Sequence, residues 1–225
     1  MAVVKQLIYL LDTSGSILSG NKLASMNEAM RTICELVKEV ESTDVKLEVS
    51  VFTFNHVRGK DSALTPIFES MSTEKAADCW SDIQPGSIMG GTPLGQALIE
   101  LAEKLNLVSQ QNEDIGDKTA APAIVILSDG IPTVYDEEVG SNIAQSLEDF
   151  KKDIATAEAT SIEFGRALRA SIALEVEEGS EAEELLFAIA HGSRSIKKED
   201  LCFHSSDNID SLKEVIYSAT VGTLS

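Results

Sequence analysis

Residues 10–16 read LLDTSGS, apolar up to Asp12 and then carrying a side-chain oxygen at every second position, on Asp12, Ser14 and Ser16. Alternate side chains of extended backbone share one side, so three oxygens at this spacing face one direction. Two more segments offer the same chemistry, Thr92 within GGTPLGQAL and Asp129 within ILSDG. Two carboxylates and three hydroxyls, without sulfur or imidazole, suit a hard divalent cation. Mg2+ is the first choice and Mn2+ or Ca2+ the next, ahead of zinc or copper. Taken singly, Asp-x-Ser after a strand is an ordinary turn, Gly-Gly-Thr-Pro an ordinary helix start and Asp-Gly another turn. Their weight lies in convergence, which depends on the elements that carry them.

Those elements alternate in hydrophobic period, as in an α/β domain with a mainly parallel sheet. A strand is predicted over 3–11. A helix follows Gly20, with Leu23, Met26, Met30, Ile33, Cys34 and Val37 on one face. Alternation over 45–54 predicts a second strand, and a short strand over 64–71 carries Pro66, which assigns it to a sheet edge. Thr92 is placed as an N-cap and Pro93 as the first residue of a helix whose apolar face holds Leu94, Ala97, Leu98, Leu101, Ala102 and Leu105. A polar loop is expected over 109–119. The unbroken apolar run 123–127 is what a central parallel strand covered on both faces looks like. Helices over 143–160, 181–190 and 209–219 and strands over 170–176 and 201–203 complete a single doubly wound domain spanning 1–225, with helices on both faces. Ligands of such sheets sit where the strand order reverses, beyond the carboxyl ends of the strands. An order 3-2-1-4-5-6 makes Asp12 and Asp129 neighbours there, and Gly90 and Gly91 let the loop bearing Thr92 approach closely.

Composition narrows the function classes. The formal charge of −19 and the absence of any Lys/Arg block argue against a nucleic-acid partner. Cys34, Cys79 and Cys202 form no CxxC pair and read as reduced core residues. The N-terminal apolar run is short and broken by Lys5-Gln6, which reads as a strand and not as a signal peptide or membrane span, so a cytoplasmic protein is expected. No GxSxG elbow, P-loop or HExxH helix is present, and His56, His191 and His204 lack ligand spacing. His56 is expected to be a loop residue near the site edge, Trp80 a packing anchor and Tyr135 an exposed aromatic contact. Asp136, Glu137 and Glu138 are expected in a solvated acidic loop beside the site, and Leu185, Leu186, Phe187 and Ile189 on the sheet.

DTSGS after the first strand, GGTPLGQAL opening a middle helix and ILSDG after the central strand resemble, in that order, the metal-ion-dependent adhesion site of von Willebrand factor type A domains. The later strand-helix pattern extends the resemblance over nearly the whole chain. Its compact form looks most like bacterial stand-alone domains of tellurium-resistance and stress-response systems. The resemblance implies a Rossmann-like, mainly parallel six-stranded sheet with one antiparallel edge strand, which would be the Pro66 segment. It also implies that Asp12, Ser14 and Ser16 form the first ligand group, Thr92 the second and Asp129 the third. Family behaviour further implies that Asp129 acts through water and that Thr92 moves in or out of the shell.

Mostly neutral ligands leave a dication electrophilic and receptive to an outside carboxylate. The expectation is a non-enzymatic, Mg2+-dependent protein-binding module that captures an Asp or Glu of a partner protein, with no nucleic acid and no membrane involved. Two alternatives stand beside it. One is a scaffold with a purely structural metal. The other is Mg2+-dependent phosphoryl transfer with Asp12 as nucleophile or acceptor, for which a phosphatase wants a second Asp where Ser14 stands and a receiver domain wants an acidic neighbour where Leu11 stands.

Overall fold

The computed structural model describes residues 3–39, 45–56, 59, 62–192, 201–205 and 210; apart from Asp210, the expected closing helix over 209–219 lies outside the described residues. The main sheet runs β3 (Leu64–Ser72), β2 (Val45–Phe54), β1 (Val3–Asp12), β5 (Ala123–Ser128), β8 (Leu168–Leu174) and β9 (Cys202–Ser205), with the two-residue β4 (Lys118–Thr119) beside β1 as a seventh strand. Leaving out β4, this is the order 3-2-1-4-5-6. Every pairing in it is parallel except β2 with β3, so the strand bearing Pro66 is the antiparallel edge. Proline is tolerated there because its missing N–H faces no further strand.

Alternation along β1 divides the core. Leu7, Tyr9 and Leu11 pack with Met26, Met30 and Ile33 of α1 (Lys22–Leu36) and Ala76 of α2 (Thr73–Cys79). Ile8 and Leu10 face the opposite layer, made of α3 (Leu94–Asp114), α4 (Leu147–Thr160), α5 (Ile162–Arg166) and α6 (Glu181–Ile189). All six residues of β5 are buried, the mark of a strand covered on both faces. Leu185, Leu186 and Ile189 of α6 are buried in the second layer, as expected for a covering helix. The three cysteines are unbridged. Among the described residues no helix is long and apolar enough to cross a membrane.

Three local expectations are corrected. The polar segment 109–119 is mostly helix, since α3 continues to Asp114 and stops before Gly116, whose φ of +82° ends it. Its last turns expose Gln110, Gln111, Glu113 and Asp114 to solvent, while Asn112 turns inward and donates to Thr119 Oγ1 at 3.0 Å. Residues 143–144, expected to open a helix, instead end β7 (Ser141–Ala144), antiparallel to β6 (Thr133–Asp136) in a separate ribbon. The helix begins at Leu147, after Ser146 accepts the Asp149 N–H. Thr92 is no N-cap, because Pro93 occupies that position and no side chain caps the turn.

Candidate metal centre

The two central strands aim both carboxylates at one edge, since β1 pairs with β5 in register Leu11 to Leu127. Asp12 is fully buried at the end of β1. Its Oδ1 accepts the Ser14 N–H at 2.8 Å and its Oδ2 accepts the Ser128 hydroxyl at 2.6 Å. No described cationic side chain pairs with it. Burial pushes its carboxyl up to about 6, and the hydrogen bonds from Ser128 and Ser14 only partly offset that push. A buried anion in this state favours any cation that can reach it.

The Asp12 side continues through hydroxyls. Ser14 leads into a single 3-10 turn over Gly15–Leu18, and its Oγ lies 3.0 Å from that of Ser16. Ser16 Oγ donates to Asp129 Oδ1 at 2.8 Å. The other Asp129 oxygen is held by an ammonium, Lys22 Nζ at 2.7 Å, which also lies 3.7 Å from Glu175. The Asp129 side chain has no solvent exposure and that of Lys22 only 12%.

Thr92 is delivered by its loop and by the ribbon. The Gly15 N–H donates to the Gly90 carbonyl and the Met89 N–H to the Thr13 carbonyl, both at 3.1 Å, which stitches the two loops together. Gly90 has φ +76°, and a β-carbon there would collide with the His56 carbonyl. At Gly91 a β-carbon would run into the side chains of Thr133 and Asn142. On the ribbon side, Thr133 Oγ1 accepts the Thr92 N–H at 2.8 Å and the Thr133 N–H donates to the Thr92 carbonyl at 2.8 Å. A β-carbon on Gly130 would lie 3.7 Å from Thr92 Oγ1 and 4.0 Å from Ser16 Oγ, so both hydroxyls overlie the turn that follows Asp129. All five residues read from the sequence therefore meet at one edge.

The donor set is all oxygen, and it contains two carboxylates only. No group of three or more His, Cys, Asp or Glu side chains able to hold a metal occurs among the described residues. A cation here would rely on Asp12, three hydroxyls and water, a set that fits Mg2+ or Mn2+.

Sequence reasoning missed Lys22, Ser128 and Thr133. Lys22 is the first residue of α1, where the helix dipole disfavours a cation, and that mismatch was the available signal of a tertiary partner. Ser128 adjoins Asp129 in the same motif, whereas Thr133 gave no signal because its strand was not recognised. Tyr135 is half-buried and stacks on His56 at 4.9 Å between ring centroids, so it is not the bare aromatic contact expected. Trp80 packs against the core and donates its indole N–H to Asp82 at 3.0 Å.

No family model matches the chain, and no curated protein sequence matches it. Solved structures do. The von Willebrand factor domain of the type V pilus tip protein Mfa5 from Porphyromonas gingivalis is 9% identical with a TM-score of 0.59, the match covering 99% of this chain and 96% of that one. The pilus adhesin SpaC from Lactobacillus rhamnosus GG is 12% identical with a TM-score of 0.64, over 96% of this chain and 30% of the adhesin. Proximal thread matrix protein 1 of the mussel byssus is 16% identical with a TM-score of 0.56, over 99% of this chain and 47% of that protein. The chain thus spans under half the length of the adhesin and of the byssus protein. Together with the sheet order, these likenesses define the fold as an α/β, Rossmann-like von Willebrand factor type A fold.

Proposed function

We propose that the edge between β1 and β5 is a metal-ion-dependent adhesion site. Asp12, Ser14, Ser16, Thr92 and Asp129 would bind Mg2+ there, with Mn2+ or Ca2+ as substitutes, and hold an Asp or Glu of a partner protein. The observation that carries this reading is Asp12, a fully buried carboxylate with neutral donors on both oxygens and no cationic side chain paired with it among the described residues. Bound there, the metal supplies Lewis acidity toward an outside carboxylate. Asp12 supplies the charge, the hydroxyls of Ser14 and Ser16 lie beside it, and Thr92 is braced by Thr133 at the ribbon side.

The same residues favour binding over phosphoryl transfer. An aspartyl phosphatase needs an acid-base carboxylate two residues after its nucleophile, and here Ser14 stands there with its hydroxyl engaged by Ser16. Incubation with p-nitrophenyl phosphate and Mg2+ should release no nitrophenol above background.

The cellular setting we propose is a cytoplasmic bacterial stress-response or tellurium-resistance-type system, on the resemblance of the three motifs to stand-alone domains. Pilus proteins among the structural neighbours favour a second setting, adhesion at a cell surface. Capture of partners from the native cell in Mg2+, in EDTA, and with Asp12→Ala or Thr92→Ala tests the binding reading. Capture should require both the metal and the two side chains, and equal capture in EDTA would refute it.

A further inference from the structure

A cavity of about 390 Å³ opens beside the metal edge, within the size range of ligand pockets, and its walls include His56, Gln96, Thr133, Tyr135, Gln145 and Asp153. Thr133 forms one wall and is the residue that holds Thr92, so cavity and metal edge share a rigid partition.

The polar groups of this cavity are short of donors. Gln145 is 6% exposed, and its Oε1 has no hydrogen-bond partner among the described residues. Its amide N–H donates to Asp153 Oδ2 at 2.6 Å, which leaves the oxygen as the idle end. His56 Nε2, a donor or an acceptor according to tautomer, is also buried without a partner among the described residues. None of the ion pairs among the described residues involves Asp153, even though its carboxylate lies so close to Gly95 that a β-carbon there would strike it. The stacked rings of His56 and Tyr135 add a flat π surface, 20° from parallel. Buried acceptors left unpaired cost free energy, so the cavity is built for something that brings donors. The acidic turn Asp136 to Glu138 beside it adds negative potential and no cation.

We propose that this cavity is a recognition pocket for a guanidinium group, the arginine side chain of the protein that binds at the metal edge. A guanidinium is planar, presents five N–H donors and stacks on aromatic faces, which suits Gln145 Oε1, Asp153 and the His56–Tyr135 ledge together. A carboxylate or phosphate would meet Asp153 and is rejected. A neutral ligand of the same shape leaves Asp153 without a countercharge. The proposal rests on the metal-edge reading for its partner, because an arginine near the captured Asp or Glu would offset the repulsion that a chain of charge −19 exerts on an acidic protein.

The pocket is tested first without metal. N-acetyl-arginine methylamide is titrated in EDTA into the isotope-labelled full chain, and the Gln145 side-chain amide and His56 ring signals are followed. Saturable shifts are expected at both. The citrulline and lysine analogues should bind at least about tenfold more weakly, as should arginine to the Gln145→Met and Asp153→Asn variants. Arginine and citrulline binding alike, lysine matching arginine, or no shift at either residue with arginine overturns the proposal. In a second arm, Mg2+ should strengthen binding of a blocked peptide carrying Asp close to Arg. Arginine binding without that gain leaves the pocket standing and removes the metal reading, whereas a Mg2+ gain equal for Arg and citrulline peptides does the reverse.

Discussion

Asp12 and Asp129 close neighbouring parallel strands on one edge, yet among the described residues Asp12 is met by the neutral donors of Ser14 and Ser128 while Asp129 is clasped by the Lys22 ammonium. The Asp12 half joins a local turn, through the Ser14 N–H, to one neutral tertiary donor, the Ser128 hydroxyl 116 residues away. The Asp129 carboxylate is held by tertiary partners, Ser16 and the cationic Lys22, which reaches it across 107 residues, and Thr92 is positioned by a ribbon that begins at Thr133. The contrast separates two jobs. Asp12 is a buried charge met by neutral donors, and Asp129 is a charge already neutralised by an internal cation. On the proposed metal reading, an incoming dication and Lys22 would compete for the same carboxylate, and affinity would depend on how readily the ammonium yields, with Glu175 nearby to receive it.

The largest effect is expected from removing the internal cation. Lys22→Met leaves Asp129 buried and unpaired, at a cost of about 3–5 kcal/mol to the metal-free protein. The same variant should bind Mg2+ more tightly than wild type, so thermal unfolding with and without Mg2+ should show a lower metal-free midpoint and a larger metal-induced gain. Equal midpoints in the two proteins would erase the distinction between the halves. Next is Asp12→Asn, which should behave oppositely. Folding raises the Asp12 carboxyl from its ordinary 3.8 to about 6, so the folded state holds its proton more tightly and stability falls as pH rises through that window. At neutral pH the charge costs up to about 3 kcal/mol. Asp12→Asn should therefore raise the metal-free midpoint by several degrees while abolishing the Mg2+ response.

Proton competition gives a third, sharper measure. With Asp12 as the proposed ligand, Mg2+ affinity should be level above about pH 6 and fall about tenfold per unit below it. In Lys22→Met the break should remain, because it belongs to the Asp12 half. The smallest effect is expected at the ribbon. Thr133→Ala removes the acceptor of the Thr92 N–H and should cost about 1 kcal/mol, with a few-fold loss of Mg2+ affinity that Thr133→Ser restores.

The same contrast explains what the sequence made legible. Strands β1 and β5 announce themselves as apolar runs because both faces are covered, and Asp12, Ser14, Ser16 and Asp129 stand at their ends. The edge role of β3 followed from a single residue, Pro66. The ribbon was illegible because all four residues of β7 are exposed, so burial imposed no alternation on them. Thr92 was found through its hydroxyl and the Gly90-Gly91 pair that lets its loop approach closely, and only its capping role was misread. A Thr-Pro pair reads as a cap, but the threonine carbonyl, not its hydroxyl, meets the first turn through the Leu94 N–H at 2.8 Å, so the hydroxyl does not cap it. Lys22 hid inside an ordinary amphipathic helix because charge pairing across the fold leaves no periodic trace.

Calorimetric titration of Mg2+ into the metal-free protein at neutral pH, run in parallel on Asp12→Asn and Thr92→Ala, is the most direct test. One saturable site in the wild type, none in Asp12→Asn and a weaker one in Thr92→Ala is the predicted outcome. Absence of binding in the wild type, or identical isotherms in all three, would contradict it.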